Sequence, residues 1–212
     1  EEERLEKLVN LSCEKLNIKR YVSWDCVSGI KGLMNEEGKF SNNPLGVLNW
    51  LGEQSSKAST ILLVKDFHKF YDDPSINRTI KKLSSSLKET NHNLIISSHL
   101  FPSSEGLDEL MTIVNLPLPD QKELKNLIKK IAINTNSNLD EEDLNELSIA
   151  SSGLTEIKVK QVTAKALAQR GKISKEDIKD ILEEKKQVIA RSEILEFFEA
   201  KSSQDDIGGL NV

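Results

Sequence analysis

The stretch from Ile61 to His68 carries the residues whose types and order point most directly to chemistry. Its first four residues are apolar and predict a buried strand, and Lys65 and Asp66 follow at the end of that strand. In open parallel sheets, ligands bind beyond the carboxyl ends of the strands, so a carboxylate here is placed to hold Mg²⁺ through water. A following Glu could orient an attacking water. The next residue is Phe67, which cannot act as a base, so hydrolysis at this position would lack its water-orienting group.

Two further positions carry polar side chains suited to a nucleotide. Ser98 follows the next predicted strand and could contact a γ-phosphate, and Lys158 follows Gly153-Leu154-Thr155 on a predicted helix, from which a cation could reach a nucleotide across a domain interface. A purely structural interpretation stays open for each: a strand-end turn at Asp66 and at Ser98, and a solvated helix face at Lys158. Lys65, Asp66, Ser98 and Lys158 are therefore the predicted nucleotide-binding residues, and no catalytic residue is predicted.

Other chemical motifs are missing from the 212 residues. The sequence contains no Gly-x-x-x-x-Gly-Lys-Ser/Thr, the loop whose backbone N–H groups and Lys hold phosphates. No Ser–His–Asp or Cys–His nucleophile set is recognisable. His68, His92 and His99 have no carboxylate or Cys partner at ligand spacing, so no metal site is predicted. Cys13 and Cys26 form no redox pattern and are interpreted as two reduced thiols.

The elements that must position these residues alternate between helices and strands up to about residue 118. This alternation predicts crossover units and a mainly parallel α/β sheet. Helical periodicity and an Asp73-Pro74 start signal mark the helices, and β-branched or apolar runs mark the strands. The predicted helices are residues 1–17, 44–53 and 74–87, the predicted strands are 20–27, 60–64, 93–97 and 111–116, and 28–43 is predicted to be a long loop.

The pattern becomes entirely helical after Leu116-Pro117-Leu118-Pro119-Asp120. Two prolines impose an extended backbone there, and Asp120 with Glu123 resembles a capping box. Four helices are predicted from apolar spacing and cap residues: 120–131, 139–150, 155–170, and one that starts at Ser174 and runs to about Ala190. The predicted domains are an α/β base over 1–118, a helical lid over 119–190, and a helical or flexible tail over 191–212 that links to a second module.

Composition excludes several classes of protein. Hydrophobic residues make up 37% and charged residues 30%, which supports a folded core rather than a disordered chain. The formal net charge of −5 argues against duplex binding, which usually needs a basic surplus. The apolar runs are too short for a transmembrane helix or signal peptide. The sequence starts without Met and ends on Asp-Ile-Gly-Gly-Leu-Asn-Val, and we expect both ends to lie within a longer protein.

The order of these parts resembles an AAA+ module of the P-loop NTPase-like fold: a parallel sheet with a Walker B-like strand, a polar strand end, a Leu-Pro-x-Pro-Asp junction and a helical lid with Gly-Leu-Thr. The chain is similar to the N-terminal half of one AAA ATPase family of cyanobacteria and plastids, the hypothetical chloroplast reading frame proteins. Segments that carry the resemblance span the chain: Glu1–Arg4, Leu63–Phe70, Leu116–Asp120, Gly153–Thr155, Glu183–Ile189, Ile194–Phe198 and Asp206–Leu210.

The resemblance implies two AAA-like modules, a degenerate first one and an ATP-hydrolysing second one. It implies ATP and magnesium as cofactors of the parent protein, a homo-oligomer, and an unknown protein client. It also implies a cyanobacterial cytoplasm or a plastid stroma, and a role linked to photosynthetic carbon use. The Lys-Asp-Phe-His variant is consistent with a first module that lacks catalysis.

Three hypotheses of function remain at this point. The first is a degenerate AAA domain that serves the assembly and regulation of the second module. The second is a competent ATP-binding half-site that a neighbouring subunit completes, with Arg78, Arg170 or Arg191 as donors that nothing singles out. The third is a clamp-loader-like subunit that binds DNA or a sliding clamp, against which the acidic balance counts.

Overall fold

The computed structural model describes residues 1–99 and 106–201 and divides the chain into two units. The sheet unit is Glu2–Asn115, and the helical unit takes in Glu1 and the chain from Leu116 onward. None of the helices in the described ranges combines the length and the apolar character that crossing a membrane requires. Part of the resemblance to the reading frame family, Asp206–Leu210, lies outside the described residues.

The sheet unit contains a four-stranded sheet in the order β2-β1-β3-β4. β3 pairs in parallel with β1 on one side and with β4 on the other, in a register that sets Leu62 between Val22 and Leu94. β2 is antiparallel to β1. The strand bounds are Arg20–Asp25 for β1, Gly29–Lys31 for β2, Thr60–Lys65 for β3 and His92–Ser97 for β4.

Helices cover both faces of this sheet, which explains why β3 is apolar from Ile61 to Val64. Alternate residues of β3 point to opposite faces: Leu62 and Val64 join the main core, and Ile61 packs with Val9 of the first helix. Every residue of β3 from Thr60 to Val64 is buried. The helices of this unit are α1 (Glu2–Lys15), α2 (Pro44–Gly52) and α3 (Pro74–Leu87).

The sequence predicted the wrong kind of structure for two segments of the sheet unit. The predicted loop over 28–43 contains β2, in which Ile30 is fully buried and its carbonyl accepts a hydrogen bond from Gly38 N at 2.9 Å. Three residues are too few to show alternation. Gly29, which adopts a positive φ of 70°, is also a residue typical of turns, so the sequence indicated a loop here.

The strand predicted over 111–116 does not form, because no residue of that segment joins a ladder. Ile113 and Val114 are exposed, so this apolar run gains none of the burial that makes a buried strand favourable. The first strand of the structure also ends two residues before its predicted end, at Asp25. The Asp25 carboxylate accepts hydrogen bonds from the backbone N–H groups of Val27 and Ser28, at 3.0 and 2.7 Å, and turns the chain there.

Within the described residues, the helical unit contains four helices around one apolar cluster. The first three start within two residues of their predicted starts, and the fourth starts at Ile178 instead of directly after Ser174. The Asp120–Glu123 pair is a complete capping box, Asp140 caps the next helix with Asp143, and Thr155 caps the third. The bounds are α4 (Gln121–Asn134), α5 (Glu141–Ser151), α6 (Glu156–Arg170) and α7 (Ile178–Lys201), the last after a 3-10 turn at Lys175–Asp177. α7 thus extends beyond the predicted end near Ala190.

Candidate functional site

The candidate site lies where β3 and β4 end side by side. Lys65 pairs with Ser97 in the parallel register, and Asp66 continues the contact by donating its backbone N–H to the Ser97 carbonyl at 3.0 Å. Ser98 and His99 follow Ser97 directly. The structure therefore brings Lys65, Asp66 and Ser98 to one edge of the sheet, as the parallel topology requires.

Lys65 is held by two carboxylates of α1. Its Nζ lies 2.6 Å from Glu6 Oε1 and 3.3 Å from Glu2 Oε2, and its side chain is only 16% exposed. Burial by itself lowers the pKa of Lys65, but the hydrogen bond and charge of Glu6, assisted by Glu2, outweigh it and raise that pKa above its usual value. Its positive charge is therefore already neutralised within the sheet unit.

Asp66 stands at a break in the regular backbone. Its φ of 50° is left-handed, a conformation that Asp tolerates better than most residues. Its side chain is 60% exposed, and Oδ1 lies 3.9 Å from Nδ1 of His99. The carboxylate therefore faces solvent beside an imidazole.

Phe67 turns in the opposite direction, into the core. It is fully buried, and its ring centroid lies 5.6 Å from that of Trp24 and 5.5 Å from that of Phe70. Trp24 and Phe70 complete the triangle at 6.1 Å. Tilted and edge-on aromatic contacts of this kind add to the free energy of burial. The position after the strand-end carboxylate is thus part of the hydrophobic core.

His68 points back to the same edge as Asp66. Both ring nitrogens are shielded from solvent, and neither has a hydrogen-bond partner among the described residues. Its ring packs edge-on against His99, with the centroids 5.4 Å apart. Burial, followed by the charge of Lys69, lowers the pKa of His68; Asp66 opposes that shift. The ring is therefore held in its neutral form, which offers a lone pair on one nitrogen.

Asp66, His68 and His99 form a group that the sequence prediction missed. One ligand atom from each lies within 4.8 Å of the other two. The expectation that these histidines have no carboxylate partner was wrong, because β4 brings His99 beside a residue that is distant in sequence. The Asp-x-His spacing of residues 66 and 68 was the only local signal available.

Lys158 belongs to the helical unit and is engaged there. It lies on α6, and its Nζ donates to Glu184 Oε1 of α7 at 2.6 Å. Lys160, two residues further along α6, lies with its Nζ 3.6 Å from Glu156 Oε2. The predicted nucleotide contact through Lys158 stays a prediction.

The residues at the strand ends fit a magnesium nucleotide poorly. Mg²⁺ prefers oxygen ligands, whereas Asp66 has two imidazoles as neighbours. Lys65, the cation beside Asp66, is paired with Glu6 and Glu2. We therefore derive no hydrolytic step at this edge.

Comparison with known proteins gives matches along the whole chain. Residues 1–116 match the family model of the N-terminal domain of SpoVK-like AAA ATPases, and residues 122–192 match that of the second domain of the same family. The AAA domain-containing protein ycf46 of Guillardia theta is 31% identical over 211 residues, which cover 100% of this chain and 42% of that protein. Its counterpart in Gracilaria tenuistipitata var. liui is 34% identical over 215 residues, covering 100% of this chain and 43% of that protein. The chain thus spans less than half the length of these curated relatives.

A solved structure supports the similarity of fold. The structure of C. elegans PCH-2 superimposes with a TM-score of 0.50 at 15% sequence identity, over 80% of this chain and 53% of that one. At this identity the likeness concerns the fold alone.

Proposed function

The chain belongs to the family of SpoVK-like AAA ATPases, and from that premise we propose that it is a degenerate N-terminal AAA module that does not hydrolyse ATP itself. In this proposal it serves the assembly and regulation of a second, ATP-hydrolysing module of a longer protein. The predicted resemblance to the hypothetical chloroplast reading frame proteins is confirmed by the ycf46 relatives.

The observation that carries the proposal is the burial of Phe67. A water-orienting carboxylate would have to follow Asp66 and reach the solvent edge of the sheet. The side chain at this position instead packs between Trp24 and Phe70 and has no exposed surface. The side chain at this position is therefore part of the core. A single Phe67→Glu exchange would bury a charge there rather than create a base.

The predicted cations give secondary support. Lys65 is paired with Glu6 and Glu2, and Lys158 is paired with Glu184. A phosphate would have to displace these carboxylates before either lysine could bind it. In this proposal Lys65, Asp66, Ser98 and Lys158 are the remnants of a nucleotide site, and the parent protein uses ATP and magnesium at its second module.

The remaining parts of the proposal concern the whole protein. AAA modules assemble through neighbouring modules and subunits, so the partners proposed are the second AAA module and further copies of the same protein, with a protein client still to be identified. A cyanobacterial cytoplasm or plastid stroma, and a role in photosynthetic carbon use, follow from the family resemblance alone.

Calorimetric titration of the chain with MgATP, combined with a phosphate-release assay, tests the proposal. We expect weak binding and no turnover. Glu6→Gln removes the main partner of Lys65 and should strengthen ATP binding, whereas Glu14→Gln, an exposed exchange on the same helix, should not. Micromolar affinity together with turnover by the wild-type chain would overturn the proposal.

A second experiment addresses the competing half-site hypothesis. In the longer protein, the phosphate-loop lysine of the second module is replaced and ATP hydrolysis is measured. The proposal expects hydrolysis to be lost, since no other site performs it. Retention of hydrolysis would assign the activity to the module described here.

A further inference from the structure

We propose that Asp66, His68 and His99 form a binding site for a divalent transition-metal ion, with Zn²⁺ as the ion that fits best. The proposal goes beyond the module's relation to ATP, because it assigns the strand-end edge to a different ligand. Among the described residues, this is the one group of three ligand-bearing side chains whose atoms gather within 4.8 Å of each other.

The pair of Asp66 and His99 needs only a small adjustment to hold zinc. Two ligand atoms at the usual zinc distance of about 2.1 Å, at a tetrahedral angle, lie about 3.4 Å apart. Asp66 Oδ1 and His99 Nδ1 are 3.9 Å apart. Both of these side chains are largely exposed, so rotation about their χ angles can close the gap without disturbing the core.

His68 supplies the fixed ligand of the three. Its ring nitrogens are buried and lack a hydrogen-bond partner among the described residues, and leaving such groups unsatisfied costs free energy. A metal–nitrogen bond would satisfy one of them. Buried nitrogens alone do not make a site: within the described ranges, those of His92 also have no hydrogen-bond partner, but no group of three ligand-bearing side chains forms around that ring.

The donor set selects the class of ion. Imidazole nitrogens suit Zn²⁺, Cu²⁺ and Ni²⁺, whereas Mg²⁺ and Ca²⁺ prefer oxygen ligands. Two histidines and one carboxylate leave the fourth tetrahedral position open, as in zinc sites that also hold a water or a further ligand. Because Asp66 and His99 are exposed, this open position faces solvent.

The three histidines of the chain make the test unusually direct, because each gives its own imidazole signals in NMR spectra. The full chain is titrated with Zn²⁺, and in parallel with Mg²⁺. We expect Zn²⁺ to shift the ring signals of His68 and His99 and to leave those of His92 in place. Mg²⁺ at the same concentration should shift none of them.

Variants assign the ligands by calorimetry. His99→Ala and Asp66→Asn should each weaken Zn²⁺ binding by at least about 10-fold, since even partners outside the ligand set change metal affinity by that much. Both positions are exposed, and Asn tolerates the left-handed backbone of Asp66, so both variants should fold; circular dichroism checks this. Asp72→Asn, an exposed carboxylate outside the group, and Cys26→Ser, which removes the more accessible thiol, should leave the affinity unchanged.

Several results would overturn the assignment. These are a Zn²⁺ titration that shifts neither His68 nor His99, an affinity that His99→Ala and Asp66→Asn leave unaltered, or one that Cys26→Ser abolishes. None of these measurements involves ATP. Failure of the metal site therefore leaves the proposed degenerate AAA module untouched, and turnover of ATP would leave the metal site untouched.

Discussion

In the helical unit, α4, α5 and α6 each begin at a side chain that caps them, whereas in the sheet unit the strands are held by partners far away in sequence. Asp120, Asp140 and Thr155 satisfy the first N–H groups of their helices within three residues. Val22 and Leu94 instead flank Leu62 from separate parts of the chain. Local bonds thus set the starts of these three helices, whereas pairing between distant segments sets the strands of the sheet.

The two units therefore differ in the interactions that stabilise them and in where side chains suited to chemistry gather. Caps contribute small, separate increments of free energy. The sheet unit concentrates its apolar packing around Trp24, Phe67 and Phe70, directly beneath the strand end that carries Asp66 and His68. Chemistry-bearing side chains gather there because parallel strands end together.

The largest effect should come from Phe67→Ala. Removal of a fully buried aromatic ring is expected to lower the free energy of unfolding by about 3–5 kcal/mol. Both tryptophans, Trp24 and Trp50, lie in the sheet unit, so denaturant unfolding followed by tryptophan fluorescence reports on that unit. Ile149→Ala, an exposed position on α5, is the control and should leave this transition in place. A loss below about 1 kcal/mol for Phe67→Ala would break the contrast between the units.

A matched pair of glycine substitutions tests the packing of β2, the strand that the sequence did not predict. A Cβ at Gly29 would lie 2.6 Å from the Gly38 carbonyl oxygen and closer still to that of Lys39, and its φ is 70°. Gly38 has a similar φ of 77° but open space around it. Gly38→Ala should cost about 1–2 kcal/mol for the left-handed backbone, and Gly29→Ala about 1–3 kcal/mol more for the overlap. Fluorescence-detected unfolding compares them, and equal costs would mean that β2 is not packed as described.

A cap exchange in each unit should have a smaller effect. Asp140→Ala removes the cap of α5, and Asp73→Ala removes that of α3, whose carboxylate accepts from Ser75 N at 2.7 Å. Each should cost about 1 kcal/mol. Only Asp73→Ala should shift the unfolding transition detected by fluorescence. The loss of stability in Asp140→Ala should be seen in unfolding followed by the helical circular dichroism signal. A cost of several kcal/mol for Asp140→Ala would show that the helical unit depends on more than local bonds.

The smallest expected effect is a loss of stability that occurs only at high pH. Burial, with added repulsion from Glu6 and Cys13, raises the pKa of Tyr21 from 10.0 to about 12. Because the folded-state pKa is the higher one, the resulting stability is fully present below pH 10 and is lost as pH rises towards 12. Burial also raises the pKa of Tyr71, so tyrosinate absorbance of the wild-type chain should rise late for both tyrosines, and Tyr21→Phe should remove only the part of the rise near pH 12. A step at the ordinary pKa would contradict the burial of this hydroxyl.

The sequence predicted more of the helical unit than of the sheet unit, for a physical reason. A helix start depends on a side chain and the backbone N–H groups that follow it, so Asp120 and Thr155 could be recognised directly. A strand depends on its neighbours, so three residues around Ile30 were missed and the run containing Val114 was predicted wrongly. The AAA+ fold class was nevertheless predicted correctly, as the family models and the PCH-2 comparison confirm.

The features of the candidate site likewise fall into those that the sequence determines and those that depend on the fold. The sequence by itself determined that Asp66 ends a buried strand, that Phe67 follows it, and that no phosphate loop accompanies them. Only the tertiary structure decided that Phe67 is buried, that Lys65 is paired with α1, and that His99 joins Asp66 and His68. The identity and order of residues are properties of the chain, but their neighbours across β3 and β4 depend on strand pairing, which no local pattern specifies.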